Sequence, residues 1–275
     1  MNYDCLREHA LTALLIKSPA KKAAYIKNLQ HQYVLAVGAD VMLQEPQTGL
    51  PGRPDTPHIV PPQQVKQRSL ATPEGRATLL HALAHIEFNA INLALDIIWR
   101  YADLPDSFYG DWLCVAYEEV LHFEMLNQRM QELGYTYGDF TAHDGLWDMA
   151  ERTKHDLLAR LALVPRTLEA RGLDACPLVR AKLAQAGDEQ SAAILDIILR
   201  DEVGHVALGN KWYRWLCIQA DLDAVMIYPD LASQYRAPRL KGPFNIPARL
   251  AAGFSAEEID YLTAQESAEI KSSPV

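Results

Sequence analysis

Apolar residues recur at intervals of three and four along most of the chain, which is the spacing of amphipathic α-helices. The first long helix is expected to begin with Thr72 as its N-cap and Pro73 in the first helical position, and to run to about Tyr101. A second is expected from about Asp106 to Gly134, because a glycine commonly follows the last turn of a helix. No segment alternates apolar and polar residues as a β-strand does. The pattern predicts an all-α protein.

Two further long helices are expected in the second half of the chain. The third begins at Asp144 and is interrupted near Pro165, because proline cannot donate the helical hydrogen bond. Pro177 then opens a short separate helix. The fourth has Asp188 as its N-cap and runs to about Ala220. Together these segments predict a four-helix bundle.

The bundle is expected to carry an extension on each side. Residues 1–71 comprise an N-terminal helical arm and then, between residues 44 and 64, a segment whose many prolines rule out a regular helix or a central strand. We expect this Pro-rich segment to wrap the surface of the domain. The bundle occupies residues 72–221, and residues 222–275 form a C-terminal extension in which Ser255 can cap a short helix.

The composition narrows the class of protein. Of the 275 residues, 49% are hydrophobic and 22% are charged, as in ordinary globular proteins. The net charge of −9 argues against a general nucleic-acid surface, because phosphate binding depends on Lys and Arg, but leaves a small RNA-recognition patch open. The chain shows no secretory signal pattern and no apolar run of the roughly 20 residues that a membrane span needs. Its four widely separated cysteines fit free thiols, so we expect a cytoplasmic protein.

Two short motifs have the same acid-acid-x-x-His form. They are Glu118-Glu119-Val120-Leu121-His122 and Asp201-Glu202-Val203-Gly204-His205. On a helix, residues three apart lie on one face, so each Glu-x-x-His pair can hold one metal ion. Two such pairs on separate helices predict a two-metal site.

Each of the other two long helices offers one further carboxylate. Glu87 lies on an otherwise apolar stripe, where a metal ion would offset the cost of burying its charge. The third helix offers Glu169, with Glu151 and Glu189 as alternatives. Four carboxylates would neutralise two divalent ions, and a mixed set of oxygen and nitrogen ligands suits iron or manganese.

The positions of Glu87 and Glu119 along their helices agree with a shared site. Glu87 lies 14 residues before Tyr101, and Glu119 lies 13 residues after Asp106. Across an antiparallel hairpin, both carboxylates should therefore return to one level, about 20 Å from the turn.

The pattern of Glu87, Glu119-x-x-His122, Glu169 and Glu202-x-x-His205 resembles the ferritin-like di-iron carboxylate superfamily, in which two helices each contribute a Glu and two others each contribute Glu-x-x-His. The flanking sequence is similar to a bacterial ferritin-like family, the domain of unknown function 455 family. The similar stretches are Pro51-Gly52-Arg53-Pro54, His81-Ala82-Leu83-Ala84-His85-Ile86-Glu87, Glu169-Ala170-Arg171-Gly172-Leu173-Asp174 and Ala251-Ala252-Gly253-Phe254-Ser255.

This resemblance implies a set of site residues. The ligands of two iron ions, or of a manganese and an iron ion, would be Glu87, Glu119, His122, Glu169, Glu202 and His205. Glu118, Asp201 and His85 would hydrogen-bond to groups of the metal site and orient them. Arg171 could meet an anionic substrate beside Glu169, although the helix dipole alone also favours an arginine there.

The resemblance also implies oxygen chemistry. In such proteins a pair of ferrous ions reacts with O2 and oxidises a C–H bond, iron itself or another reductant. The first hypothesis is therefore a non-haem di-iron monooxygenase, hydroxylase or oxidase. It would act on a small organic or nucleoside-like molecule, take electrons from a separate reductase, and exist as a monomer or homodimer.

Other functions stay open. A ferritin-like or rubrerythrin-like protein would store iron or remove peroxide, but the long extensions would obstruct a compact cage. The tRNA-modifying hydroxylases share the ferritin-like bundle, so modified RNA is a candidate substrate. A metal-free helical scaffold would have to bury six ionisable groups without a metal ion, which is costly.

Overall fold

The structure is a computed structural model that describes residues 4–31, 35–47, 49–66 and 68–272, with side chains described as far as residue 264. In these ranges the regular structure is helical, and the only β-type pairing is an isolated bridge between Ile59 and Ala142. The all-α prediction is confirmed. The chain divides into two compact units, Met1–Trp147 and Asp148–Val275.

The first unit is built on one long helical hairpin. Its described elements are α1 (Leu6–Leu15), α2 (Pro19–Gln30), a 3-10 turn (Pro62–Gln64), α3 (Pro73–Arg100) and α4 (Asp106–Glu132); α5 (Gly145–Arg152) contains the boundary between the units. Thr72 caps α3 by accepting a hydrogen bond from the Gly75 amide at 3.1 Å, as its sequence predicts. Helices α3 and α4 pack along each other, with α1 against α3 and α2 against α4.

Two buried cations attach the N-terminal arm to this hairpin. The Arg7 guanidinium donates to the carbonyl oxygens of Ile98, at 3.3 Å, and Trp99, at 2.7 Å, in the last turn of α3. These carbonyls have no partner within the helix, so Arg7 acts as a distant C-cap. Lys22 is fully buried and donates to the Leu14 carbonyl and to the Asn92 side chain on α3.

The Pro-rich segment packs on the first unit. The Gly52 amide donates to the Leu14 carbonyl at 2.9 Å, and a Cβ at this glycine would lie 2.1 Å from the Leu15 carbonyl oxygen. Further along, the Val60 amide donates to the Ala142 carbonyl at 2.8 Å. Backbone hydrogen bonds of this kind hold a segment that is too rich in proline to form its own secondary structure.

The second unit pairs one long helix with a chain of shorter ones. Its elements are α6 (Leu157–Leu163), a π-helical segment (Val164–Glu169), α7 (Ala170–Gln185), α8 (Glu189–Gln219), α9 (Ala224–Gln234), α10 (Ile246–Ala251) and α11 (Ala256–Ser272). Asp188 caps α8 through the Ser191 amide at 3.0 Å, as predicted. Helices α6 and α7 and the π-helical segment all pack on α8.

The third predicted helix has an additional break, which comes before the expected interruption near Pro165. We expected continuity from Asp144 to the region of Pro165, whereas the structure ends α5 at Arg152 and starts α6 at Leu157. The side chain of Asp156 accepts a hydrogen bond from the Ala159 amide at 2.9 Å, so it caps a new helix. The buried Arg160 supports the break because its Nε donates to the Thr153 hydroxyl at 3.0 Å.

The regular α-helix is interrupted near Pro165, as expected, because α6 ends at Leu163 and the π-helical segment follows. Pro165 lies in the π-helical segment, where the wider turn accommodates it, and the Thr167 hydroxyl donates to the Ala162 carbonyl at 2.8 Å. Pro177 lies inside α7, so the expectation that it opens a separate helix is wrong. The side chain of Ser255 caps α11 as expected, through the Glu258 amide at 3.2 Å, and Glu258 returns a capping-box bond to the Ser255 amide.

None of the helices in the described ranges combines the length and the apolar character of a membrane span. All four cysteines, Cys5, Cys114, Cys176 and Cys217, carry free thiols, as their spacing predicts.

Candidate metal centre

The α3–α4 hairpin of the first unit brings three potential metal ligands together. Glu87, Glu119 and His122 are all buried, with at most 4% of each residue exposed. Each offers one ligand atom, and these atoms lie within 4.8 Å of one another. The two carboxylates therefore lie at one level of the hairpin, as the counts from the turn predict.

The His122 ring lies between the two carboxylates. Its Nδ1 is 3.3 Å from Glu87 Oε2 and 3.4 Å from Glu119 Oε2. Glu119 and His122 are three residues apart on α4 and so share a face, while Glu87 reaches them from α3. The three side chains form a buried group that could hold a metal ion.

The electrostatics of this group favour a positive charge. Burial alone would lower the pKa of His122, but hydrogen bonds and charge from Glu119 and Glu87 outweigh it and raise this pKa to about 11. The carboxylates thus stabilise a cation at the ring. A divalent ion satisfies the same requirement, and two carboxylates with one imidazole are ligands that iron and manganese accept. The residues fit the metal that the sequence pattern implies.

The second unit presents the other Glu-x-x-His pair on α8. Glu202 and His205 are both buried, and His205 Nδ1 lies 3.6 Å from Glu202 Oε1. Glu169, the other ligand expected here, is half-buried and is the last residue of the π-helical segment. Such segments occur frequently at functional sites because they redirect one turn of side chains.

A glycine of α8 allows the π-helical segment to approach closely. A Cβ on Gly209 would lie 2.6 Å from Pro165 Cβ, well inside contact distance. By contrast, Gly204 has nothing within 4 Å of the corresponding position. The close packing that a glycine-containing helix allows is thus found at Gly209, four residues after His205, and is absent at Gly204.

The residues expected to orient the ligands have varied surroundings. Glu118 and Asp201 are half-buried, and the Asp201 carboxylate accepts hydrogen bonds from Arg200 at 2.7 and 3.0 Å. Arg171, the expected anion-binding residue, is exposed at the start of α7.

His85 forms its hydrogen bonds with a separate set of groups. Its Nδ1 is 2.8 Å from the Tyr137 hydroxyl, and its Nε2 is 3.2 Å from the His143 carbonyl and 3.0 Å from Asn89 Nδ2. Burial lowers the pKa of His85 to about 4, and the charge of His81 acts in the same direction. His85 is therefore neutral at physiological pH, and its role at the metal site stays a prediction.

Sequence reasoning missed the buried cations, among them Arg166 in the π-helical segment. Its Nε donates to the Asn210 side chain and its Nη2 to Glu258, so its environment comes from residues 44 and 92 positions away. No local pattern signals such an arrangement.

Comparison with known proteins identifies relatives but no activity. Residues 15–260 match the model of a family described as a protein of unknown function, DUF455. A protein of Haemophilus influenzae (strain Rd), described as uncharacterized, is 47% identical over 262 residues, which is 91% of each chain. No solved structure matches the chain significantly. The family match over most of the chain and the 47% identity show that this chain belongs to the DUF455 family.

Proposed function

We propose that the protein is a ferritin-like, non-haem di-iron oxidoreductase that uses O2 as a monooxygenase, hydroxylase or oxidase. The six residues of the sequence pattern, Glu87, Glu119, His122, Glu169, Glu202 and His205, would hold the two metal ions. The observation that carries this proposal is the buried group of Glu87, Glu119 and His122, whose ligand atoms lie within 4.8 Å of one another.

The cost of burying this group supports a metal-binding role. Two carboxylates and an imidazole in an apolar helical hairpin are expensive to bury unless a cation compensates them. In the metal-free protein the proton on His122 partly fills that role, in agreement with its raised pKa. A bound iron pair would fill it fully and would supply the redox chemistry that activates O2.

The chain's own residues would prepare the site for that chemistry. Glu87 and Glu119 contribute negative charge at fixed positions, and His122 would release its proton as its ring nitrogen becomes a ligand. Glu87, Glu119 and His122 are themselves buried, with at most 4% of each residue exposed, so bulk water has little access to the group. A dry, charged site of this kind strengthens each electrostatic interaction within it.

Metal content tests the proposal directly. The protein is purified without metal, loaded anaerobically with Fe(II), freed of excess iron by gel filtration and analysed for iron per chain. We expect about two iron ions per chain in the native protein. Glu119→Ala should lose most of the bound iron, because it removes a central ligand of the group. Glu124→Gln on the same helix is the matched control, since Glu124 is partly exposed and pairs with Lys27.

Oxygen uptake then distinguishes an enzyme from an iron-storage protein. With two irons per chain, O2 consumption should stop after one turnover unless a chemical reductant is supplied. A large shell that holds many iron ions would favour storage over the proposed activity. Glu119→Ala that retains two irons would overturn the ligand assignment.

A further inference from the structure

The second unit contains a cavity of about 280 Å³, and one of its lining residues, Arg166, lies three residues before the proposed ligand Glu169. Residues from α9, α11, the π-helical segment and the chain between α9 and α11 line it, and Glu169, Glu202 and His205 are not among them. The lining residues that matter here are Arg166, Tyr228, Leu240, Arg249, Glu258 and Tyr261.

Arg166 is a buried cation that lines this cavity, and one of its three nitrogen atoms has no hydrogen-bond acceptor among the described residues. Only 4% of the residue is exposed. Its Nε donates to Asn210 and its Nη2 donates to Glu258, whereas its buried Nη1 has no acceptor among the described residues. The Tyr213 ring, whose centroid is 4.0 Å from the guanidinium carbon, offers a cation–π contact but no lone pair. A buried charged donor without an acceptor is costly, so a bound acceptor would stabilise it.

The ion pairs around the cavity leave an excess of positive charge. Glu258 is shared between Arg166 and Arg214, and its Oε2 lies 2.8 Å from Arg214 Nη2. Arg249 is fully buried and pairs with Asp174 at 2.6 Å. These three guanidinium groups face two carboxylates, and Arg239, an exposed residue of the lining, adds a further positive charge. A negatively charged ligand would reduce this excess of positive charge.

The rest of the lining is aromatic and aliphatic. Tyr228 and Tyr261 meet edge to face with ring centroids 6.4 Å apart, and Leu240, Pro229 and Leu262 complete the apolar surface. The volume of about 280 Å³ lies just below the roughly 300–1,000 Å³ that pockets for drug-sized ligands span. The space suits one ring or a short chain.

We propose that this cavity binds a small organic carboxylate with a compact apolar body, whose carboxylate accepts a hydrogen bond from Arg166 Nη1. A hydrogen bond from a guanidinium to a carboxylate is charge-assisted and therefore stronger than a neutral one, and a carboxylate supplies negative charge where the surrounding groups have an excess of positive charge. The body of the ligand packs between Tyr228 and Leu240.

The proposal is tested by calorimetric titration of the metal-free protein with benzoate and cyclohexanecarboxylate, and with benzamide as the neutral analogue of benzoate. We expect saturable binding of one carboxylate per chain and binding of benzamide that is weaker by roughly tenfold or more, because a charged hydrogen bond is lost. Ala232→Phe fills the cavity without altering its charges and should abolish carboxylate binding. Arg166→Gln should weaken it, while Arg180→Gln, at a partly exposed position outside the lining, should leave it unchanged.

The Ala232→Phe variant and the neutral ligand decide whether the cavity binds carboxylates. Arg166→Gln leaves Glu258 with one cationic partner fewer and can fail to fold, so Ala232→Phe, checked by its melting temperature, carries the test. Equal affinity for benzoate and benzamide, full binding by folded Ala232→Phe, or no saturable binding of either carboxylate at concentrations on the order of 10 mM would overturn the proposal. Because the titrations use metal-free protein, their failure would leave the di-iron proposal intact.

Discussion

Substituting the two glycines of α8 by alanine should have different effects on stability. At Gly209 a new Cβ would lie 2.6 Å from Pro165 Cβ and 2.9 Å from Pro165 Cγ. Carbon atoms in contact lie about 3.5–4.0 Å apart, so the π-helical segment would have to move by about 1 Å. The contacting atoms belong to a buried proline ring, which cannot rotate away as a flexible side chain can.

The magnitude follows from two terms. Replacing glycine by alanine inside a helix is worth about 1 kcal/mol, and this gain is shared by both sites. Overpacking a well-packed interior costs about 1–3 kcal/mol and applies only at Gly209, since Gly204 has open space around the new methyl group. Gly204→Ala should therefore raise the free energy of unfolding, and Gly209→Ala should fall about 1–3 kcal/mol below it.

Urea unfolding of the two metal-free variants, followed by circular dichroism, measures this difference. The comparison cancels the propensity term, so the difference reports the contact with Pro165 alone. Equal stability of the two variants, or a more stable Gly209→Ala, would refute the close packing of α8 against the π-helical segment.

Two further substitutions test buried and capping contacts. Burial, with a smaller contribution from Arg53, lowers the pKa of Lys22 to about 7 in the folded protein, below its ordinary value of 10.5. Between pH 7 and 10.5 the unfolded chain therefore binds more protons than the folded protein, so the free energy of unfolding should rise across this window by an amount on the order of 4 kcal/mol. Lys22→Met should remove that rise, which is measured as the urea midpoint at each pH. Asp156→Ala should lower the melting temperature because it removes the cap of α6, a loss of about 1 kcal/mol in the free energy of unfolding. It also removes the hydrogen bond that the Tyr235 hydroxyl donates to Asp156 at 2.9 Å, which should add to the loss.

Matched controls separate these causes from general damage. Lys21 is exposed next to Lys22 in α2, so Lys21→Met should follow the native pH dependence. If Lys22→Met keeps the rise in stability that the native protein shows between pH 7 and 10.5, Lys22 is not the group that causes this pH dependence. Tyr235→Phe removes only the hydroxyl contact and should cost less than Asp156→Ala. A loss as large as that of Asp156→Ala would place the effect in the hydroxyl bond rather than in the cap.

Features set by neighbouring residues could be predicted from sequence. The starts of α3, α8 and α11 follow from Thr72, Asp188 and Ser255, whose side chains reach amides only three residues away. The shared level of Glu87 and Glu119 follows from the rise per residue and a short connection between two helices. The helix starts and the shared level of the two carboxylates both depend on the spacing of residues along the chain, which can be read from the sequence.

Features set by distant packing could not be predicted. The wide turn at Pro165 depends on the missing side chain of Gly209, and proline alone suggested only an interruption. The break before Leu157 depends on contacts of Arg160 as well as on Asp156. The environment of Arg166 is completed by Asn210 and Glu258, so nothing near Arg166 in the sequence distinguishes it from an exposed arginine such as Arg171.

The hydrogen bonds of Arg7 bear on where a shortened version of the protein can begin. A fragment starting at residue 72 keeps the N-cap of α3. It loses the Arg7 guanidinium, which donates hydrogen bonds to the carbonyl oxygens of Ile98 and Trp99 at the C-terminal end of α3. It also loses Lys22, leaving the Asn92 side chain in an apolar surface. The N-terminal arm thus supplies polar groups that the α3–α4 hairpin lacks, and a fragment meant to preserve the geometry of Glu87 and Glu119 must include the residues from Arg7 onward.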